Sequence, residues 1–179
     1  MAIVTRQSTG AQVTDPAAVA ALVSEHGLVY ERWDINKLAQ HPKLDDESVE
    51  QQILRVFQDE IDALKATYGY ATEDVIALTP DHPQLDELLA KFDKEHIHTE
   101  DEVRFTVAGR GIFTIRGKDN DLYDIEVHPG DLLAVPEGTK HYFTLCEDRH
   151  IQCIRLFTDM TGWVAHYVEN GAVAGQVGA

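Results

Sequence analysis

Between Glu95 and Arg104 the chain reads Glu-His-Ile-His-Thr-Glu-Asp-Glu-Val-Arg, and no other stretch so restricts the folds open to it. Imidazoles at i and i+2 point the same way only from an extended strand, because strand side chains alternate faces. Glu102 lies close behind His96 and His98, and His141 follows 39 residues after Glu102. Three nitrogens and one carboxylate oxygen suit a borderline divalent ion such as iron(II), nickel(II), cobalt(II) or zinc(II). From His98 to Glu102 an extended chain would span about 13 Å. Metal bonds of roughly 2.0–2.2 Å cannot bridge that distance. The sequence therefore predicts a bend at the polar Thr99-Glu100-Asp101. Glu100 is a rival ligand, since it shares the parity of the two histidines. Glu102 is preferred because after the bend it shares one strand face with Arg104.

The punctuation around these residues extends the pattern. His96-x-His98-x3-Glu102-x6-Gly109 is followed, after 20 residues, by Gly130-x5-Pro136-x-Gly138-x2-His141. Gly109 and Gly111 are expected to permit a tight turn with positive φ, and Pro136-Glu137-Gly138 to interrupt a strand so that His141 starts the next. Together these spacings resemble the two cupin signatures. The resemblance implies a mainly β fold, a cupin double-stranded β-helix or jelly-roll barrel, with α-helices in the N-terminal half. Two positions depart from the pattern. Ala90 stands where a glycine six residues before His96 is usual, which suggests a helix entering the barrel, and Leu145 replaces an asparagine.

Within the cupins, Lys91-Phe92-x3-His96-x-His98-x-Glu100-Asp101-Glu102-Val103-Arg104-Phe105 resembles the bacterial acireductone dioxygenases. Ala134-Val135-Pro136 through His141-Tyr142-Phe143 agrees, as do Val29-Tyr30-Glu31-Arg32-Trp33, Tyr68-Gly69-Tyr70, Ile154-Arg155-Leu156-Phe157 and Gly162-Trp163. The resemblance covers about residues 28 to 168. It implies one Fe(2+) or Ni(2+) per monomer on His96, His98, Glu102 and His141, an acireductone and O2 as small-molecule partners, and a place in methionine salvage. It also implies Arg104 as a substrate clamp and Asp101 as a general base. Two structural alternatives stay open: Arg104 as the partner of a buried acid, and Phe92 and Phe143 as plain core rather than pocket walls. Glu95 and Glu100 are candidates to accept the second N–H of a ligand histidine, or to form a solvated acidic patch. Trp163 is expected to be a packing anchor. Other readings are a quercetinase-type or oxalate-type cupin dioxygenase, a sugar isomerase, and a non-catalytic metal-dependent binding cupin. These would share the ligand set but not the Asp101-Glu102-Val103-Arg104 run, and no effector module accompanies the barrel.

Composition sets the remaining bounds. The net charge is −16, from 31 acidic and 15 basic residues. That argues against nucleic acid or an anionic membrane as a partner. An anionic substrate then needs a locally positive pocket, which a divalent ion and Arg104 against one carboxylate supply. No apolar run reaches 18 residues and no signal-peptide core is present, so a cytoplasmic address is expected, and a closed barrel with so acidic a surface is expected to be a monomer. Cys146 and Cys153, on either side of an expected turn at residues 147–150, are read as a reduced pair.

The first half reads helical and the second half β. Asp15-Pro16 caps a helix that Gly27 ends. A long amphipathic helix is expected from about Asp46 to Tyr68, carrying Val49, Ile53, Val56, Phe57, Ile61 and Leu64 on one face. Pro83 opens another. Strands are expected at 28–33, 75–78, 102–108, 111–116, 122–128, 131–135, 141–146, 151–157 and 163–168. One domain over 1–168 follows, helical to about 95 and barrel from about 96. The small-residue-rich stretch 169–179 reads as a flexible tail.

Overall fold

The structure, a computed structural model, describes residues 1–159, 164–169 and 172–177. The chain opens with β1 (Ile3–Arg6) and β2 (Gln12–Val13), then α1 (Pro16–Glu25), β3 (Val29–Arg32) and α2 (Lys37–Gln40). Helices α3 (Val49–Val56) and α4 (Gln58–Tyr68) precede β4 (Thr72–Leu78) and α5 (Leu85–Phe92). Strands follow: β5 (His96–Ile97), β6 (Glu102–Gly109), β7 (Gly111–Arg116), β8 (Leu122–Val127), β9 (Asp131–Val135), β10 (His141–Leu145), β11 (Ile151–Phe157), β12 (Ala165–Glu169) and β13 (Ala172–Val177).

Their pairings, all antiparallel, build two sheets. An eight-stranded sheet runs β13-β12-β5-β10-β7-β8-β1-β2, and a five-stranded sheet runs β3-β9-β6-β11-β4. Phe113, Ile115, Tyr123, Ile125, Val127 and Phe143 of the first meet Leu78, Leu133, Val135, Ile151 and Cys153 of the second in one apolar interior. The outer face of the five-stranded sheet is buried as well. There Val103, Phe105, Leu132, Ile154 and Leu156 pack against Ile53, Phe57, Ile61 and Leu64 of the helical half. Burial on both faces explains why β9 reads Asp-Leu-Leu-Ala-Val without alternation. Period two then decides the rest: on β6 the odd residues face helices, while Glu102, Arg104 and Thr106 face the barrel interior.

Three expectations are corrected. The long helix breaks at Phe57, which ends α3 and starts α4 with φ −105° and ψ 15°. Its fully buried ring packs between Trp33 and Phe105, with centroids 6.0 and 4.7 Å away. The break thus coincides with a fully buried helix residue packed on the sheet. Gly111 does not need positive φ; a Cβ there would meet the Phe143 ring at 2.5 Å. Gly109 does, with φ +71°, and its added Cβ would also lie 2.0 Å from the His150 carbonyl oxygen. The turn expected between Cys146 and Cys153 is present, the Arg149 N–H donating to the Cys146 carbonyl at 2.9 Å, and both cysteines are free as expected. Finally, residues 172–177 form a strand on β12, with Glu169 opposite Ala172, where a tail was expected. Main-chain ladder bonds ask little of the side chains, so a small-residue composition did not argue against pairing. The Asn170-Gly171 dipeptide, a strong hairpin signal, was there to be read.

Candidate metal centre

The site is assembled where the chain changes sheets. His96 lies on β5, directly opposite His141 of β10, and Glu102 starts β6 on the facing sheet, opposite Val135. Residues 98–101 between them carry no strand, and 99–100 bend, as the ligand spacing required. One donor atom from each of His96, His98, Glu102 and His141 lies within 4.8 Å of every other, and all four residues are buried. Ring centroids are 4.9 Å apart for His96 and His98, 4.5 Å for His96 and His141, and 5.2 Å for His98 and His141. Glu100 is not in the cluster.

The backs of the three rings are fixed by main chain. Nδ1 of His96 lies 2.6 Å from the Lys94 carbonyl oxygen, that of His98 2.9 Å from Val164, and that of His141 2.8 Å from Thr139. A carbonyl can only accept, so each Nδ1 carries a proton, and a ring neutral in that tautomer offers its lone pair at Nε2. Nε2 of His141 and of His98 lie 2.8 and 3.2 Å from Glu102 Oε2. Lone pair against carboxylate oxygen at that distance is repulsive. A cation between them resolves it, and bonds of roughly 2.1 Å at right angles put neighbouring donors about 3 Å apart. The donor set therefore fits a divalent ion. Burial, then repulsion from His141, pushes His96 down to about 4, so it is unprotonated at neutral pH. Burial opposes the charge on Glu102. The Arg104 guanidinium outweighs it and holds this carboxyl well below the usual range.

Arg104 is buried on the same strand face, donating from Nε to Glu102 Oε1 at 2.6 Å. Its guanidinium carbon lies 5.6 Å from the Phe143 centroid and 5.9 Å from that of Phe113. The buried-acid reading of Arg104 is thus realised, with a ligand candidate as the acid. Phe143 belongs to the buried interior cluster, and Phe92, at the end of α5, packs half-buried against it. Glu95 orients no histidine, since carbonyls occupy those positions; it takes a 2.7 Å bond from Arg116 Nε. Glu100 likewise holds none of the three rings. Asp101, the expected general base, accepts a hydrogen bond through each carboxylate oxygen. Its Oδ2 accepts from the Tyr70 hydroxyl and its Oδ1 from the Glu137 N–H, both at 3.1 Å. Trp163 lies outside the described residues. Sequence reading missed Tyr167 of β12, whose ring stands edge-on to His96 at 6.2 Å and whose hydroxyl donates to the Lys91 carbonyl at 3.0 Å. An aromatic in an expected strand carried no further signal.

Two antiparallel sheets closed on three histidines and a glutamate define a metal-binding cupin. The ARD/ARD′ family profile matches residues 5–165. An acireductone dioxygenase of Geobacillus kaustophilus (strain HTA426) is 47% identical over 174 residues, 94% of this chain and 96% of that relative. One from Bacillus anthracis is 45% identical over 171 residues, covering 93% and 100%. A solved acireductone dioxygenase from Bacillus anthracis, with a cadmium ion in its active centre, superposes with a TM-score of 0.87 at 43% identity, covering 93% of this chain and 98% of that one. The chain belongs to the acireductone dioxygenase family, and it is an enzyme.

Proposed function

We propose that His96, His98 and His141 through Nε2, and Glu102 through its carboxylate, hold one Fe(2+) or Ni(2+) ion, and that the enzyme cleaves 1,2-dihydroxy-5-(methylthio)pent-1-en-3-one with O2 in methionine salvage. The observation that carries this reading is the convergence of one donor atom from each of the four buried residues, with Nε2 of His141 and of His98 at 2.8 and 3.2 Å from Glu102 Oε2. The cadmium in the Bacillus anthracis active centre supports it. A bound divalent ion supplies Lewis-acid polarisation of the two enediol oxygens and keeps the substrate anion in place.

The chain's own residues do the rest. Arg104 orients Glu102 and offsets its charge, so the pocket floor stays positive towards an enediolate despite a net charge of −16. Phe143 and Phe113 flank the guanidinium and exclude water from it. Phe92 closes the wall nearer α5. With iron the products are 4-methylthio-2-oxobutanoate and formate; with nickel they are 3-(methylthio)propanoate, formate and carbon monoxide. The reading extends to a cytoplasmic monomer. Among the described residues no helix is long and apolar enough to cross a membrane.

The test is anaerobic mixing of metal-loaded enzyme with the enediol, followed by air. Chelation should shift the ultraviolet band of the substrate and oxygen should bleach it. Exchange of iron for nickel in one preparation should change the products, and an unchanged ratio after verified exchange would remove the metal-dependent part. Absence of any spectral shift on anaerobic mixing would remove the dioxygenase reading itself.

A further inference from the structure

Three of the four donors hang from two loops. His98 and Glu102 flank the bend at residues 99–101, and His141 follows the turn that begins at Pro136. Residues 98–101 and 136–140 carry no strand, yet both loops must hold donor atoms to a few tenths of an ångström. They are stitched together twice. The Gly138 N–H donates to the His98 carbonyl at 2.9 Å, and the Glu137 N–H donates to Asp101 Oδ1 at 3.1 Å. The second stitch is anchored from outside the barrel, since the other Asp101 oxygen accepts from the Tyr70 hydroxyl at 3.1 Å. Tyr70 is itself well fixed. It is buried in the cluster between the helices and the five-stranded sheet, and the next residue's N–H donates to the Phe157 carbonyl at 2.8 Å. Thr139, two residues past Glu137, supplies the carbonyl that orients His141.

We infer that Tyr70, acting through Asp101, is a positioning residue for the metal centre: the Tyr70–Asp101–Glu137 bridge sets the separation of the two loops that carry His98, Glu102 and His141. This rests on the reading that these donors hold a divalent ion. Tyr70 touches neither the donors nor, on this reading, the substrate. Its removal should loosen the donor geometry without emptying the core, because phenylalanine keeps the ring.

Cobalt(II) added to the metal-free full-length chain tests it, read by affinity and by the visible ligand-field spectrum, which reports coordination geometry. Wild type should bind stoichiometrically. Tyr70→Phe should bind about tenfold more weakly, the low end for residues that orient ligands, with an altered band shape. Tyr30→Phe removes a comparable hydroxyl, one that donates to Asp131 at 2.8 Å, and should leave affinity and spectrum unchanged. Asp101→Asn, on a half-buried loop, provides a second route should Tyr70→Phe fold poorly by circular dichroism. The two effects should not add in the double variant, because the residues act as one unit. An affinity within about twofold of wild type and an unaltered spectrum in Tyr70→Phe would overturn the inference, and so would an equal loss in Tyr30→Phe. Failure of the wild type to bind cobalt would remove the underlying metal reading instead.

Discussion

Arg104 and Glu102 form a buried pair, and the behaviour of that pair should depend on whether a cation is present. Removing one member of a buried ion pair leaves the other uncompensated, at about 3–5 kcal/mol. Arg104→Ala should therefore destabilise the metal-free protein by about that much. A bound divalent ion re-pairs Glu102, so the loss should shrink when cobalt is added, while turnover stays abolished. Urea unfolding with and without metal measures the difference; equal losses in both states would show that Arg104 does not compensate Glu102. The two thiols offer a second test at this scale. Cys153 is fully buried, and burial pushes its thiol up to about 11, whereas Cys146 is half-exposed. One thiol should react slowly with a disulfide reagent under native conditions and the second only after unfolding. Rapid reaction of both in the native protein would contradict the burial of β11.

Among the elements, two turns separate backbone conformation from crowding. Gly109 and Gly138 both have positive φ, +71° and +72°, but a Cβ at Gly138 meets nothing within 4 Å while one at Gly109 strikes the His150 carbonyl. Gly138→Ala should cost about 1–2 kcal/mol, the left-handed penalty alone, and Gly109→Ala well beyond that; urea midpoints with unchanged slopes would show it. The join between β3 and β9 is electrostatic. Asp131 is fully buried and accepts from Tyr30, from Arg32 and from the His128 N–H. Burial first, then Asp131, pushes the Tyr30 phenol up to about 12. Between about pH 10 and 12 the unfolded chain loses a proton that the folded chain keeps, so stability falls with rising pH across that window. In an ultraviolet titration Tyr30→Phe should remove one late-ionising phenol, and it should flatten that loss of stability. At this scale the sequence was readable where punctuation was strong: Asp15 caps α1 as expected, accepting from the Ala18 N–H. It was unreadable at Phe57, where neither glycine nor proline marks the break and only packing against Trp33 and Phe105 accompanies it. The short β1 and β2 were also missed, because four and two residues carry too little periodicity.

For the whole molecule, the centre spans both sheets, with His96 and His141 on one, Glu102 on the other and His98 in the loop between them. Metal should therefore act as a cross-link. At a free concentration of 100 times Kd it should add about 2.7 kcal/mol to stability, and chelator should remove that increment from the melting temperature; a chelator-insensitive melt would argue against a shared ion. The four donors were legible because spacing in sequence maps directly onto a strand face and a bend. What holds them was not. The histidines are seated on the carbonyl oxygens of Lys94, Thr139 and Val164, and every residue type has a carbonyl. The identities of positions 94, 139 and 164 should thus be nearly silent: Lys94→Ala and Thr139→Ala ought to leave cobalt affinity intact, whereas a one-residue insertion beside either should abolish it. Selection acting on this enzyme can rewrite those letters freely so long as it keeps the path of the chain.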